Sequence, residues 1–417
     1  MPHPEAIARK GPGPEMKDET EISRDLAFLC GTIGERPTGS QKNRDACSYV
    51  GSVLLGLGYE VGYQEFPIGE WTVQETRLTC GGTDLELAAN PYSPPCSVTA
   101  PLVMAGSLAE LEGAAFEGKI LLAHGDLTKE WIMPRNFRFY RHEEHCRIVQ
   151  LIEDGGAAAL ITVSPRTDQP VPVIIDGDFP VPSCSVTKTV GEVLAGYAGK
   201  PVTLSLATRR EPARAANVIA RSPAAPGQNR VVLCAHIDTK YYTPGALDNA
   251  AGVAVLLHLA RTFAKGTPSP VPLEFVFFNG EECYRAPGEC AYLDEGRLDP
   301  SRVILGINVD GTGLRGHPVG ISYYGCSEQV VAAATSALRS RAGIVTADPW
   351  PQGDHMIFFM HNVPCMAFST QAGYPVIDAV IHSRNDTMAV VDTSLLSETV
   401  RTIEAIVRDL AIRQERG

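Results

Sequence analysis

Seven residues in the second half of the chain have the types and placement for metal-assisted hydrolysis: His236, Asp238, Asp248, Glu281, Glu282, Asp310 and His382. Glu281 and Glu282 end the stretch VPLEFVFFNGEE, where the apolar run Leu273–Phe278 stops at the turn signal Asn279-Gly280. Neighbours on extended backbone point in opposite directions, so one carboxylate can bind a metal while the other faces a substrate. Taken singly, each residue has a plainer reading. An acidic pair is more often a solvated turn, a lone histidine more often a satisfied core residue, and a lone aspartate more often a helix or strand terminator. Their joint placement at one edge of one sheet changes the balance. Two histidines with three carboxylates, and no cysteine, suit a pair of zinc or similar divalent ions held by nitrogen and oxygen. One aspartate can bridge two such ions, leaving two further protein ligands for each and an open position for water.

The elements that must position these residues follow from periodicity. His236 and then Asp238 follow the predicted strand Val231–Ala235. Asp248 lies in the loop PGALDN, before a predicted helix over Ala250–Phe263. Asp310 follows the predicted strand Val303–Val309, and His382 sits in the loop IHSRND. Further strands are predicted at Val319–Tyr324 and Val363–Ser369, and helices at Glu328–Arg341 and from Thr393 onward. In that last helix Leu396, Val400, Ile403, Val407 and Leu410 share one face. Such alternation predicts an α/β fold with a mostly parallel sheet and helices on both faces. Ligands in these folds bind at the carboxyl ends of the strands.

Before this region, a helix is predicted from about Asp18 to Gly34, a second ending near Gly58, and a strand over Tyr59–Phe66. The texture then changes. From Pro67 to Pro212, short runs (Gly118–Ala123, Ala157–Val163, Val171–Ile175) alternate with Pro and Gly clusters around one helical piece at Arg141–Glu153. This reads as a β-rich module inserted in the chain. The expected division is a flexible tail over 1–17, a catalytic domain over 18–66 and 213–417, and an insert over 67–212.

Composition narrows the function. The 417 residues are 44% hydrophobic and 20% charged, ordinary for a globular protein with a sizeable core. A net charge of -12 leaves no basic stripe for nucleic acid, and no apolar run approaches the roughly 18 residues of a membrane span. The first residues lack a secretory apolar core. The 11 cysteines are scattered, without CxxC or disulfide-framework spacing, so a reducing, cytoplasmic setting is expected.

The ordered set HID, PGALDNAAG, NGEE, NVD, GDH and IHSRNDT resembles the co-catalytic di-zinc aminopeptidases, whose family includes glutamate carboxypeptidases and glutaminyl cyclases. The likeness begins at RPTGS and LGYEV and covers nearly the whole chain. It implies a zinc exopeptidase fold, two zinc ions and a peptide substrate. It further implies that Asp248 bridges the ions, that His236 and Asp310 complete one position, and that Glu282 and His382 complete the other. Glu281 would be the general base, and Asp238 would orient His236. GKILLAHGD, DGGAAALITV and VPSCSVTKTVGEVL in the insert resemble a protease-associated domain. One position departs from the pattern: Ile381 stands where many members carry an aromatic residue, so either another donor, Tyr241 or Tyr242, takes its place or catalysis is weaker.

Three other motifs are set aside. Gly311, Gly313 and Gly316 form GxGxxG, but Pro318 and a strand follow where a dinucleotide site needs a helix. His142, His145 and Cys146 are expected on a solvated helix of the insert, and no GxSxG supports a serine nucleophile. An aminopeptidase is the favoured reading. A carboxypeptidase or dipeptidase would need a basic cluster, for which Arg285, Arg315 and Arg384 are candidates. A cyclase would not need five ligands, and a non-catalytic binding protein would be expected to lose some. The oligomeric state is left open.

Overall fold

The computed structural model describes residues 14–414, except residues 167, 224–227 and 340. Most of the expected 1–17 tail therefore lies outside the described residues. The first helix starts earlier than expected, at Pro14–Leu26, and continues as a π-helical turn over Ala27–Ile33. The second helix, Gln41–Gly56, is capped by Ser40, whose Oγ accepts the Asn43 N–H at 3.1 Å.

Fourteen strands form one connected sheet among the described residues. The first eight are β1 (Glu60–Cys80), β2 (Thr83–Leu85), β3 (Ala88–Ala89), β4 (Cys96–Ala105), β5 (Ile120–Ala123), β6 (Ala159–Val163), β7 (Ser183–Val186) and β8 (Pro201–Arg221). The rest are β9 (Arg230–His236), β10 (Leu273–Phe278), β11 (Val303–Val309), β12 (Val319–Tyr324), β13 (Ile344–Thr346) and β14 (Cys365–Thr370). Twelve of the fourteen follow the spatial order β13-β12-β14-β11-β9-β10-β8-β4-β5-β6-β7-β3, while β1 pairs off this path with β8 and β2. β10, β9, β11 and β14 are parallel, as the alternating pattern predicts, while β8 and β12 join them antiparallel. The sheet is thus mixed.

Burial explains why the central strands read as unbroken apolar runs. Val231, Leu233 and Ala235 of β9 pack with the helix-side core, whereas Val232 and Cys234 pack with Tyr292, Phe358 and Cys365 on the opposite face. In β10, Leu273, Phe275 and Phe277 face the first core, while Val276 and Phe278 face the second. A strand buried on both faces needs no polar alternation. The last helix, Thr393–Gln414, buries Leu396, Val400, Ile403, Val407 and Leu410, the face expected from its periodicity.

The region 67–212 departs from its sequence reading in two ways. It is not simply β-rich: β4, β5, β6 and β7 are parallel neighbours, accompanied by helices at Leu108–Gly113, Glu143–Asp154 and Lys188–Ala195. Val171–Ile175 is no strand and makes only a single bridge, Ile174 to Ile132. The apolar residues there serve packing, with Val173 and Ile174 buried. The strand expected over Tyr59–Phe66 also continues to Cys80, paired with β8 along almost its whole length. Phe66 faces Ala215, Pro67 faces Arg214 and Gly69 faces Pro212. Between Ala207 and Asn217, β8 has no second neighbour among the described ladders. Pro and Gly are tolerated in such a two-stranded ribbon because a free edge has no ladder for them to break.

No helix among the described residues is long and apolar enough to cross a membrane. All 11 cysteines are free thiols, seven of them buried in apolar surroundings. Alkylation under denaturing, non-reducing conditions should therefore modify nearly all 11 thiols by intact mass, whereas several protected pairs would contradict this fold.

Candidate metal centre

The site stands at the carboxyl ends of β9, β10 and β11. His236 is the last residue of β9, Glu281 and Glu282 follow the turn after β10, and Asp310 follows β11. Two features fix the turns. Gly280 has φ +110° and a Cβ there would lie 2.7 Å from Pro287, so only glycine fits. Asn279 is locked by a buried amide pair, its Nδ2 donating to Asn43 Oδ1 and its Oδ1 accepting from Asn43 Nδ2, each at 2.9 Å. Asn217 Oδ1 accepts the Asn279 N–H at 2.9 Å.

Two donor groups meet at Asp248. His236 Nε2 lies 3.0 Å from Asp248 Oδ1 and 3.4 Å from Asp310 Oδ1. His382 Nε2 lies 3.0 Å from Asp248 Oδ2 and 3.0 Å from Glu282 Oε1. Each oxygen of Asp248 therefore faces a different imidazole. The groups His236–Asp248–Asp310 and Asp248–Glu282–His382 each bring three donor atoms within 4.8 Å of one another. Among these atoms, His236 Nε2 and Glu282 Oε1 are buried and make no hydrogen bond. Unpartnered buried polar atoms are costly, and a cation at each group satisfies one of them.

The tautomer of His236 agrees with that role. Its Nδ1 lies 3.2 Å from the carbonyl oxygen of Asp238, which can only accept, so Nδ1 carries the proton and Nε2 presents a lone pair. Asp238 is fully buried, and its Oδ2 accepts from Thr38 Oγ1 at 2.9 Å and from the Glu282 N–H at 3.2 Å. One carboxylate thus ties together the loops after β9 and β10. Burial alone would lower the His236 pKa, yet Asp310, Asp238 and Asp248 hold it well above the imidazole range. The cluster calls for positive charge. Glu281 is half-buried, and burial, reinforced by Glu282 and Asp310, raises its carboxyl well above the usual carboxylate range.

Several supports were not evident as such in the sequence. Asp386 is fully buried and accepts the N–H groups of Leu247 at 2.6 Å and Asp248 at 3.1 Å. Arg36, also fully buried, donates to the carbonyls of Gly34, Ile237, Pro244 and Gly245 at 2.7–3.1 Å. Both lie inside quoted motifs, RPTGS and IHSRNDT, but their part is to hold backbone. Lys240 is buried and its Nζ donates to Glu282 Oε2 at 2.5 Å. Burial alone would depress that ammonium, but Glu282 and Glu281 outweigh it. Trp131, from region 67–212, covers Lys240 with its ring, the Nζ lying 4.7 Å from the centroid. Asp354 of GDH is fully buried with both carboxylate oxygens unpartnered.

Other expectations change. Neither replacement tyrosine is free to donate at the centre, because Tyr241 Oη donates to Trp71 O at 3.2 Å and Tyr242 Oη to Ala89 O at 2.9 Å. Arg285 is paired with Asp178, Arg315 donates to the carbonyls of Ala389 and Val391, and Arg384 is exposed beside Glu86. Gly311, Gly313 and Gly316 all have positive φ in a loop leading to β12, so no helix follows that motif.

The expected solvated helix at His142 and His145 is also corrected: His145 is buried, its ring stacks on His142 at 3.7 Å, and both lie near Glu130. This third group is ill-suited to a metal. His145 Nδ1 accepts the Met133 N–H at 3.0 Å, and His142 Nδ1 accepts the His145 N–H at 3.3 Å. Each neutral ring then keeps its proton on Nε2, the nitrogen that would have to coordinate.

Residues 217–407 match the model of Peptidase family M28. The chain is 28% identical over 290 residues to a probable lipoprotein aminopeptidase of Mycobacterium tuberculosis, covering 66% of this chain and 55% of that protein. It is 28% identical over 298 residues to an aminopeptidase of Bacillus subtilis, covering 69% of this chain and 61% of that protein. The alignments thus span less than two thirds of either relative. The structure of a zinc aminopeptidase from Bacillus subtilis aligns with a TM-score of 0.76 at 22% identity, over 93% of this chain and 94% of that one, and shares its fold.

Replacing His142 and His145 together by Ala should leave metal content unchanged, measured by elemental analysis of the purified protein. Loss of one metal equivalent would place a ligand in this third group.

Proposed function

We propose, from the premise that residues 217–407 belong to Peptidase family M28, that this chain is a metal-dependent aminopeptidase acting with two zinc ions. The observation that carries this reading is the pair of three-residue donor groups sharing Asp248, one carboxylate oxygen facing each imidazole, with half-buried Glu281 beside them. His236 and Asp310 would hold one ion, Glu282 and His382 the other, and Asp248 would serve both. Nitrogen and oxygen donors without cysteine suit catalytic rather than structural zinc. Bound zinc supplies an activated water near neutral pH and polarises the scissile carbonyl.

The remaining work falls to the chain. Glu281 takes the proton of the attacking water and passes it to the leaving amine. Burial, reinforced by Glu282 and Asp310, raises its proton affinity, which favours the uptake of that proton. Asp238 keeps His236 in the tautomer that offers Nε2, and it holds the Glu282 backbone through its N–H. The carboxylates around the centre favour a substrate with a free α-amino group. Among the described residues Arg285 and Arg315 are committed to Asp178 and to backbone carbonyls and Arg384 is exposed beside Glu86, so these three offer no basic cluster in support of a carboxypeptidase. We take residues 67–212 as an inserted module resembling a protease-associated domain. The free thiols support a reducing, cytoplasmic setting.

Aminoacyl fluorogenic substrates should be cleaved, N-blocked peptides should not, no glutamate should be released from the C-terminus of N-blocked peptides that end in it, and a chelator should abolish turnover. Three variants divide the roles. Glu281→Gln should keep both metals and lose about 10² to 10⁴ in kcat, or more, as expected for a general base. Glu282→Gln should weaken one metal position, and Asp248→Ala should be worst for metal content. Near-normal kcat in Glu281→Gln would overturn the mechanism even with both metals bound.

A further inference from the structure

The two donor groups are matched in ligands but not in charge. Each has one imidazole and two carboxylates, counting Asp248 in both. Around His236 the neighbouring side chain is another anion, fully buried Asp238, with Oδ1 3.7 Å from Nδ1. Around Glu282 the neighbour is a cation, Lys240, with Nζ 2.5 Å from Oε2. Among the described residues, no other lysine or arginine forms an ion pair with a candidate ligand. The nearby Arg36 directs its donors to four carbonyls instead.

Lys240 has little freedom to leave. It is buried, Glu282 holds its ammonium, and the ring of Trp131 closes over it from region 67–212. It also occupies Oε2, so only the unpartnered Oε1 of Glu282 faces His382. A cation in low-dielectric surroundings repels a second cation far more than it would in water.

We propose that Lys240 makes the two metal positions unequal, so that the Asp248–Glu282–His382 position binds its ion more weakly than the His236–Asp248–Asp310 position. Lys240 acts through Glu282 and is a positioning and charge-setting residue, not a catalytic one. Trp131 extends that control to region 67–212, since the ring that covers the ammonium belongs to it. The proposal rests on the two-metal reading above.

The test is titration of zinc into metal-free protein, followed by calorimetry and by competition with a chromophoric chelator. The wild-type chain should take two ions in steps at least about tenfold apart. His382→Ala should lose the weaker step and keep the tighter one. Lys240→Met should tighten the weaker step by about tenfold or more and draw the two together, while Lys240→Arg, which keeps the charge, should leave them apart. Equal steps in the wild type, loss of the tighter step in His382→Ala, or a weaker step unchanged or loosened in Lys240→Met would overturn the proposal. Should Lys240→Met fail to fold, Lys240→Gln, which also removes the charge, takes its place in the same titration and must likewise tighten the weaker step. A wild-type chain that takes no zinc would overturn the two-metal reading itself, and this proposal with it.

Discussion

The constraint behind this architecture is the crowding of three carboxylates and two imidazoles into one small volume at the edge of a buried sheet. Burying a single unpaired ion costs several kcal/mol, so such a cluster survives only if its surroundings hold every group in place. Asp386 and Arg36 do this for the Asp248 loop, the first through two backbone N–H groups and the second through four carbonyls. Asp238 does it for the loops after β9 and β10 together. The packing of the strands serves the same end: with β9 and β10 covered on both faces, their carboxyl ends have little freedom to shift.

The fold and the candidate site were legible in the sequence for different reasons. The central strands announced themselves because burial on both faces demands unbroken apolar runs, and Thr393–Gln414 did so through its single buried face. The candidate site residues stood out because His236, Glu281, Glu282 and Asp310 end or follow such strands, Asp248 precedes a helix, and His382 lies in the loop motif IHSRNDT. Arg36, Lys240 and Asp386 were not, since a buried charge that holds backbone or neutralises a neighbour leaves no periodic trace. The continuation of β1 past Phe66 was hidden by Pro67 and Gly69, which break a ladder inside a sheet but not in a two-stranded ribbon. Tyr241 and Tyr242 illustrate the opposite error, in which residues near a site in sequence spend their hydroxyls on distant backbone.

The region 67–212 and the metal centre are not independent neighbours. Tyr241, Cys283 and Tyr284, from loops that also carry site residues, are buried in the same apolar cluster as Trp71, Ile120 and Leu204. Trp131 adds a direct contact at Lys240. The loops that shape the centre therefore draw part of their packing from outside the central sheet, and substitutions in that cluster can be felt at the site without touching a ligand.

The ribbon of β1 and β8 bears on how such a chain could have been assembled. Phe66 and Ala215 already face each other in register, as do Gly69 and Pro212. Anything joined beyond that point leaves the host strands with adjacent ends, as in an ordinary hairpin. The entropy of closing the connection grows only slowly with its length, by about 0.6 kcal/mol per doubling. A long addition at this place is thus nearly neutral for the host sheet, which makes the tip of a hairpin a natural point of entry for new sequence. The addition then gains a stiff stem without any linker of its own.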